Sequence, residues 1–107
     1  MRKGNETRDV VKPILDYCAK AGIFAKRRNV AGIQRMHGHF VKLGEKGQSD
    51  IWGILPNGKH FECECKLPGE VPTESQLEWL KSVPRSSLAF WVTSPEEFIE
   101  IVERNRI

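Results

Sequence analysis

Between residues 7 and 21 the apolar positions Val10, Val11, Ile14, Leu15 and Cys18 recur at helical spacing among charged neighbours, which predicts an amphipathic helix closed by Gly22. Pro13 lies inside that pattern, so the helix either kinks there or begins there with proline in its first turn. Residues 23–30 read as a strand running into the basic cluster Lys26, Arg27 and Arg28, and residues 40–43 as a short second strand after a loop containing glycine and histidine. Asp50 opens the apolar run Ile51, Trp52, Ile54 and Leu55, the pattern of a buried strand. Asn57-Gly58 then predicts a tight hairpin turn, so that residues 60–67 pair antiparallel with the strand before them. Thr73 and Gln76 match a capping box at the start of a helix through Leu77, Leu80 and Lys81. Residues 88–92 read as a further strand, and Ser94-Pro95-Glu96-Glu97 as a second capping box before a helix that buries Phe98, Ile101 and Val102. Helix, strands, helix, strand, helix, without repeats or low-complexity linkers, describes one α/β unit over residues 1–107.

Length and composition narrow the setting. A chain of 107 residues holds one modest core, and no stretch approaches the roughly 20 apolar residues of a membrane span. Three cysteines, two of them next-but-one neighbours at 63 and 65, make a poor disulfide framework and point to a reduced, cytosolic compartment. The net charge of +3 conceals an asymmetry: residues 1–48 carry 11 Lys and Arg against four Asp and Glu, residues 49–107 six against ten. A basic surface attracts polyanions such as nucleic acid, while clustered acids suit a divalent cation. Lys26, Arg27, Arg28, Arg35 and Lys42, with His37 and His39, form the expected phosphate-contacting set. The competing reading is a solvated basic loop.

Residues 60–67 carry the chemistry. Strand alternation sends Phe61, Cys63, Cys65 and Leu67 to an apolar face and Glu62, Glu64 and Lys66 to the other. Glu64 and Lys66 are then about 7 Å apart at the backbone, a spacing at which both reach one phosphate. Antiparallel pairing through the Asn-Gly turn brings Asp50 near the same end of the strand. Phosphodiester hydrolysis needs neutralised phosphoryl oxygens and a nucleophile made from water, and a hard cation such as Mg²⁺ or Mn²⁺ supplies both. Asp50, Glu64 and the Cys65 carbonyl make a partial shell for such an ion, with Lys66 beside the attacking water. Taken alone, a Glu-x-Lys strand is more often a solvated face. Glu62 has a surface or supporting role as its ordinary reading. Cys63 and Cys65 with His37, His39 or His60 have the wrong spacing for zinc. Trp79 and Trp91 read as core or interface residues, and Trp52 stays undecided.

Gly47-Gln48-Ser49-Asp50, then Glu64-Cys65-Lys66, then Gln76 with Trp79-Leu80, resemble the PD-(D/E)xK nuclease superfamily, and within it the VRR-NUC (virus-type replication-repair nuclease) family, over nearly the whole chain. The resemblance implies a restriction-endonuclease-like α/β core, a central four-stranded mixed sheet flanked by helices. It also implies a metal-dependent DNA endonuclease with Asp50, Glu64 and the Cys65 carbonyl at the metal, Lys66 at the water, and Glu6 and Gln76 as auxiliary residues. Glu6 also suits a first helical turn on electrostatic grounds alone, and Gln76 already serves the capping box. The resemblance is to free-standing, phage-type members, and it implies a homodimer. Two sites in a symmetric pair suit branched or four-way DNA in repair, in the cytosol of the host cell if the chain is phage-encoded, with no organic cofactor. Other expectations stay open: a DNA-binding module without catalysis, an RNA-directed nuclease, or a domain that binds a protein partner.

Overall fold

A computed structural model describes residues 4–28, 33–36, 39–42 and 47–106. The helix predicted over residues 7–21 forms along that whole length, in two registers. A π-helical turn, Thr7–Val11, runs without a break into α1, Lys12–Ala21, whose first turn holds Pro13. The Lys12 amide donates to the Thr7 carbonyl five residues back, and this wide turn comes immediately before the ring that lacks an N–H and crowds the preceding turn. Both sequence alternatives are therefore partly realised: proline sits in the first α-helical turn, and helix precedes it. Gly22 caps the end in the left-handed conformation at φ 73°.

Strand β1, Phe24–Arg27, is shorter than the expected 23–30. Two further strands, β2 (Ile33–Met36) and β3 (His39–Lys42), pair antiparallel with each other in a separate two-stranded sheet. Residues 40–43 were expected to give one strand, and the partner segment 33–36 was expected to be loop. Strand β4, Ile51–Ile54, and strand β5, His60–Cys65, form the predicted hairpin, with Gly58 at φ 90° donating to the Leu55 carbonyl. After α2, Glu74–Ser82, strand β6, Leu88–Val92, lies parallel to β5, and α3, Pro95–Asn105, follows. The main sheet is thus four-stranded and mixed, in the order β1-β4-β5-β6, flanked by helices, as the restriction-endonuclease-like expectation requires.

One sheet face and two helices make the core. Val10, Val11, Ile14 and Cys18 from the first helix and Phe98 and Val102 from α3 bury against Ile51, Phe61, Cys63, Cys65 and Val92. The Phe98 ring lies 5.7 Å from Phe61 and 5.8 Å from Phe90. Gly53 is needed for closeness: a Cβ there would stand 2.1 Å from the Phe24 carbonyl oxygen and 2.6 Å from the Phe61 ring. The Thr73–Gln76 capping box forms in full. At α3 only half of the expected box does. Ser94 accepts from the Glu97 amide, but Glu97 reaches one residue further back, to the Thr93 amide and hydroxyl. Among the described residues no helix is long and apolar enough to cross a membrane.

Candidate active site

Strand register assembles the site. Ile51 pairs with Cys63, so one step further Asp50 stands opposite Glu64. Arg28 donates its backbone N–H to the Asp50 carbonyl at 2.8 Å, and Cys65 donates its own to Asp50 Oδ2 at 2.8 Å. Asp50 is 7% exposed and Glu64 2%. Strand alternation had sorted the β5 carboxylates onto a polar face, but that face is covered too, and every residue from Phe61 to Cys65 is buried. Lys66 holds its ammonium 3.6 Å from Glu64 Oε2, while Glu64 Oε1 is buried with no hydrogen-bond partner.

That oxygen defines the electrostatics. Burial, then the facing Asp50 charge, push the Glu64 carboxyl up to about 8, with the Lys66 ammonium opposing them. An ionised carboxylate has only acceptors, so Oε1 is relieved by a proton shared with Asp50 or by a cation. A proton shared with Asp50 answers the oxygen in the metal-free chain, and a divalent ion displacing that proton is the other arrangement these donors allow. Among the described residues no three His, Cys, Asp or Glu side chains surround one point. An ion here would take two carboxylates and complete its shell with backbone, water or substrate oxygens, a mixture that Mg²⁺ accepts readily. In an extended strand the N–H and C=O of one residue leave on the same side. Because the Cys65 N–H meets Asp50, its carbonyl emerges on the Asp50 side as well. The Cys63 and Cys65 thiols lie in the core.

Glu6, the residue before the π-helical turn, reaches this group. Its carboxyl is raised by partial burial and by Asp50, and Lys66 and Arg27 oppose the shift. Gln76 is occupied by the cap, its Oε1 accepting from the Thr73 amide at 2.8 Å. Its backbone adjoins the loop that leads to Asp50. A Cβ on Gly47 would lie 2.3 Å from the Ser75 carbonyl oxygen and 3.1 Å from the Gln76 nitrogen, and Gly47 also adopts φ 86°.

Sequence reasoning missed the arrangement around Glu62. This carboxylate, 1% exposed, takes hydrogen bonds from Arg28 Nη1 at 2.6 Å and Nη2 at 3.2 Å, from Ser49 Oγ at 2.5 Å and from Trp79 Nε1 at 3.0 Å. Arg28 Nη1, Ser49 and Trp79 share Oε1, and His60 Nε2 lies 2.7 Å from Oε2, which also takes Arg28 Nη2. Burial alone would raise the Glu62 carboxyl, but the bonds from Arg28, Ser49 and Trp79 outweigh it and hold it below the ordinary range. The alternation of β5 was a signal that Glu62 shares a face with Glu64. Nothing local showed which donors would reach it.

The basic set divides accordingly. Arg28 is committed to Glu62, with its guanidinium 5.2 Å from the centre of the Trp79 ring. Arg27 is exposed and donates to the Thr7 hydroxyl, and Lys26 lies over the exposed Phe24 ring. Arg35, His39 and Lys42 fall in the β2–β3 hairpin by their backbone. Their side chains, and His37 altogether, lie outside the described residues.

Comparison with known proteins gives one short likeness. The chain is 53% identical over 38 residues to a protein named "Putative nuclease p44" of Acyrthosiphon pisum secondary endosymbiont phage 1. The matched stretch is 36% of this chain and 41% of that protein, so the chain aligns with less than half the length of this curated relative. No family profile matches the chain, and no solved structure does.

Proposed function

We propose that this protein is a divalent-metal-dependent nuclease that hydrolyses DNA phosphodiester bonds, a VRR-NUC-type member of the PD-(D/E)xK superfamily. The observation that carries this reading is the buried, donor-less Glu64 oxygen opposite Asp50 and beside Lys66. The phage relative named as a nuclease supports the class. Asp50, Glu64 and the Cys65 carbonyl hold the ion, Mg²⁺ or Mn²⁺. When bound, it neutralises phosphoryl oxygens and acidifies water. Asp50 is the fixed ligand, because its free choice of orientation is removed by the Cys65 amide. Lys66 orients the attacking water and balances charge that grows on the phosphate in the transition state. Glu6, whose carboxyl is raised in part by Asp50, is the candidate for taking up a proton from that water. Gln76 keeps its side chain in the Thr73 cap, and any auxiliary role of it comes through the α2 first turn that packs on the Gly47 loop.

DNA reaches this group over the basic half of the chain. Lys26 and Arg27, with Arg35, His37, His39 and Lys42, are the phosphate-contacting candidates, and Arg28 serves the fold instead. Assembly as a homodimer that cuts branched or four-way DNA rests on the family resemblance and on the small surface of one chain.

The deciding experiment incubates the full chain and its Asp50→Asn variant with linear, nicked, flapped and four-way DNA, and with matched RNA, with and without Mn²⁺. Metal-dependent cutting of DNA by the wild type alone is the expected result. Retained cutting by Asp50→Asn, or no cutting of any DNA, would overturn the proposal, and faster cutting of RNA would reassign the substrate.

A further inference from the structure

Glu62 is an expensive residue to bury, and its donors are drawn from four separate segments. Arg28 follows β1, Ser49 precedes β4, His60 begins β5 and Trp79 belongs to α2. Two of these four are tied directly to Asp50. Ser49 is its chain neighbour, and Arg28, besides holding Glu62 by two bonds, donates its backbone N–H to the Asp50 carbonyl and its Nη1 to the Ser49 carbonyl at 3.4 Å. The remaining free element at Asp50 is its side chain, fixed by the Cys65 amide on the strand that carries Glu62 itself.

We infer that Glu62 is a positioning residue that clamps the Ser49-Asp50 segment and α2 onto β5, and so fixes the separation of the Asp50 and Glu64 carboxylates. This rests on the nuclease reading above. Side by side on one strand, the two glutamates do opposite work. Glu62 accepts three protein donors on Oε1 and Arg28 Nη2 on Oε2, beside the His60 ring, which leaves little room for an ion, whereas Glu64 keeps one oxygen without a donor. Arg28 cancels the Glu62 charge, so the negative charge offered to an ion comes from Asp50, Glu64 and Glu6. Supporting groups of this kind set the orientation of ligating carboxylates, and their loss typically costs about 10- to 100-fold in metal affinity or activity.

The test uses the full chain carrying Ser49→Ala, Trp79→Phe or Glu62→Gln, and, as a control for general destabilisation, Val102→Ala in the core helix α3. Amide hydrogen exchange without metal or DNA reads the clamp by itself. Ser49→Ala and Glu62→Gln should speed exchange of the Arg28 and Cys65 amides while leaving those of α3 unchanged. Cleavage kinetics in Mn²⁺ should then show kcat lowered about tenfold or more in both, with KM for DNA unchanged, and less in Trp79→Phe, which loses one donor but keeps the ring against Arg28. Val102→Ala, folded at the assay temperature, should keep its kcat. The inference is overturned if the Arg28 and Cys65 amides stay equally protected, or if Val102→Ala lowers kcat as much as Ser49→Ala. A wild type that cuts nothing would sink the nuclease reading, and the exchange measurement would still decide the clamp.

Discussion

Glu64 stands opposite Asp50 one step beyond the Ile51–Cys63 pair, and the two carboxyls are unequally provided for: Asp50 receives the Cys65 amide, while Glu64 has the Lys66 ammonium beside Oε2 and no partner on Oε1. Once Glu64 ionises, above about pH 8, like charges face each other across the ladder and destabilise it, and a buried acceptor without a donor adds its full desolvation cost. The site thus works against the fold. Glu64→Gln, which can donate an amide proton to Asp50, should stabilise the metal-free protein by about 1–3 kcal/mol at about pH 9, where Glu64 is ionised, and by little near about pH 6, where Glu64 keeps its own proton. The same variant should lose about 100-fold or more in cleavage, since a ligand is gone. Urea unfolding and cleavage rates, measured on one preparation, check the pair. Unchanged stability at the higher pH would mean that the orphaned oxygen is satisfied in solution.

Acidity should affect this residue and its neighbour in opposite senses. In the folded chain the Glu64 carboxyl titrates at about 8, far above its unfolded value. Between those two values the folded chain keeps a proton that the unfolded chain releases, so stability falls as pH rises through the window and levels off above 8. Glu62 is lowered, so its contribution is present above the unfolded value and is lost as pH falls through the folded one. A divalent ion selects ionised carboxylates and should abolish the Glu64 penalty. Saturating Mn²⁺ should raise the melting temperature by several degrees at about pH 8.5 and hardly at all at about pH 5.5. Thermal unfolding at both values tests it, and an equal shift at both would remove Glu64 as the responsible ligand.

Arg28→Met should be among the most damaging single changes. It leaves Glu62 buried without its countercharge, a loss of about 3–5 kcal/mol, although Arg28 resembles a nucleic-acid contact in sequence. Its cost should change little with added salt, because the pair is shielded from solvent. Denaturant midpoints at low and high salt measure both statements. A loss below about 1 kcal/mol would place the pair among ordinary surface bridges.

The contrast between Arg28 and Asp50 marks what the sequence makes legible. Asp50, Glu64 and Lys66 were readable because Pro56-Asn57-Gly58 announces a hairpin that brings their ends together. The register itself was not. The loop closes with three residues, Leu55 against Lys59 and Gly58 at φ 90°, which places Glu64 opposite Asp50 where a two-residue Asn-Gly turn would have placed Cys65. Thr73 and Gln76 were readable because the cap closes within four residues. The Glu62 cluster joins Arg28, Ser49, His60 and Trp79 across 51 positions, and no local pattern encodes such a meeting. Strand β2 escaped for a related reason. Ile33-Gln34-Arg35-Met36 has too little apolar alternation to announce a strand, and its pairing with β3 lies apart from the main sheet.

Gly47 couples the two halves of the site. Its φ of 86° and the closeness of the Ser75 carbonyl leave no place for a side chain, so the loop before Asp50 lies against the first turn of α2. Gly47→Ala therefore meets both backbone strain and a clash with a carbonyl held in a helix, and should cost at least about 1–3 kcal/mol. Gly58→Ala shares the positive φ but meets nothing within 4 Å. It should cost less and leave cleavage intact. Equal losses in the two variants would remove the contact with α2 as the cause.

Pro13 offers the last test, through Glu6. The Lys12 amide bonds five residues back to Thr7, and Pro13, next in line, has no amide to restore the ordinary four-residue register. Closing that turn to α-helix would rotate the preceding residues about the helix axis, because one residue of winding is absorbed in the wide turn. Glu6 stands at its start, and its carboxyl interacts electrostatically with Asp50, Glu64 and Lys66. Pro13→Ala supplies the missing N–H and should allow the closure. The stability change should be within about 1 kcal/mol, since alanine gains helix propensity while the unfolded chain gains freedom. Cleavage should fall as Glu6 turns away, to about the level of Glu6→Gln, and the double variant should lose little more than either single change. Backbone chemical shifts of residues 7–12 report the register directly. If they show the wide turn intact in Pro13→Ala, the packing of Val10 and Val11 holds it, and proline merely tolerates a turn that the core has already chosen.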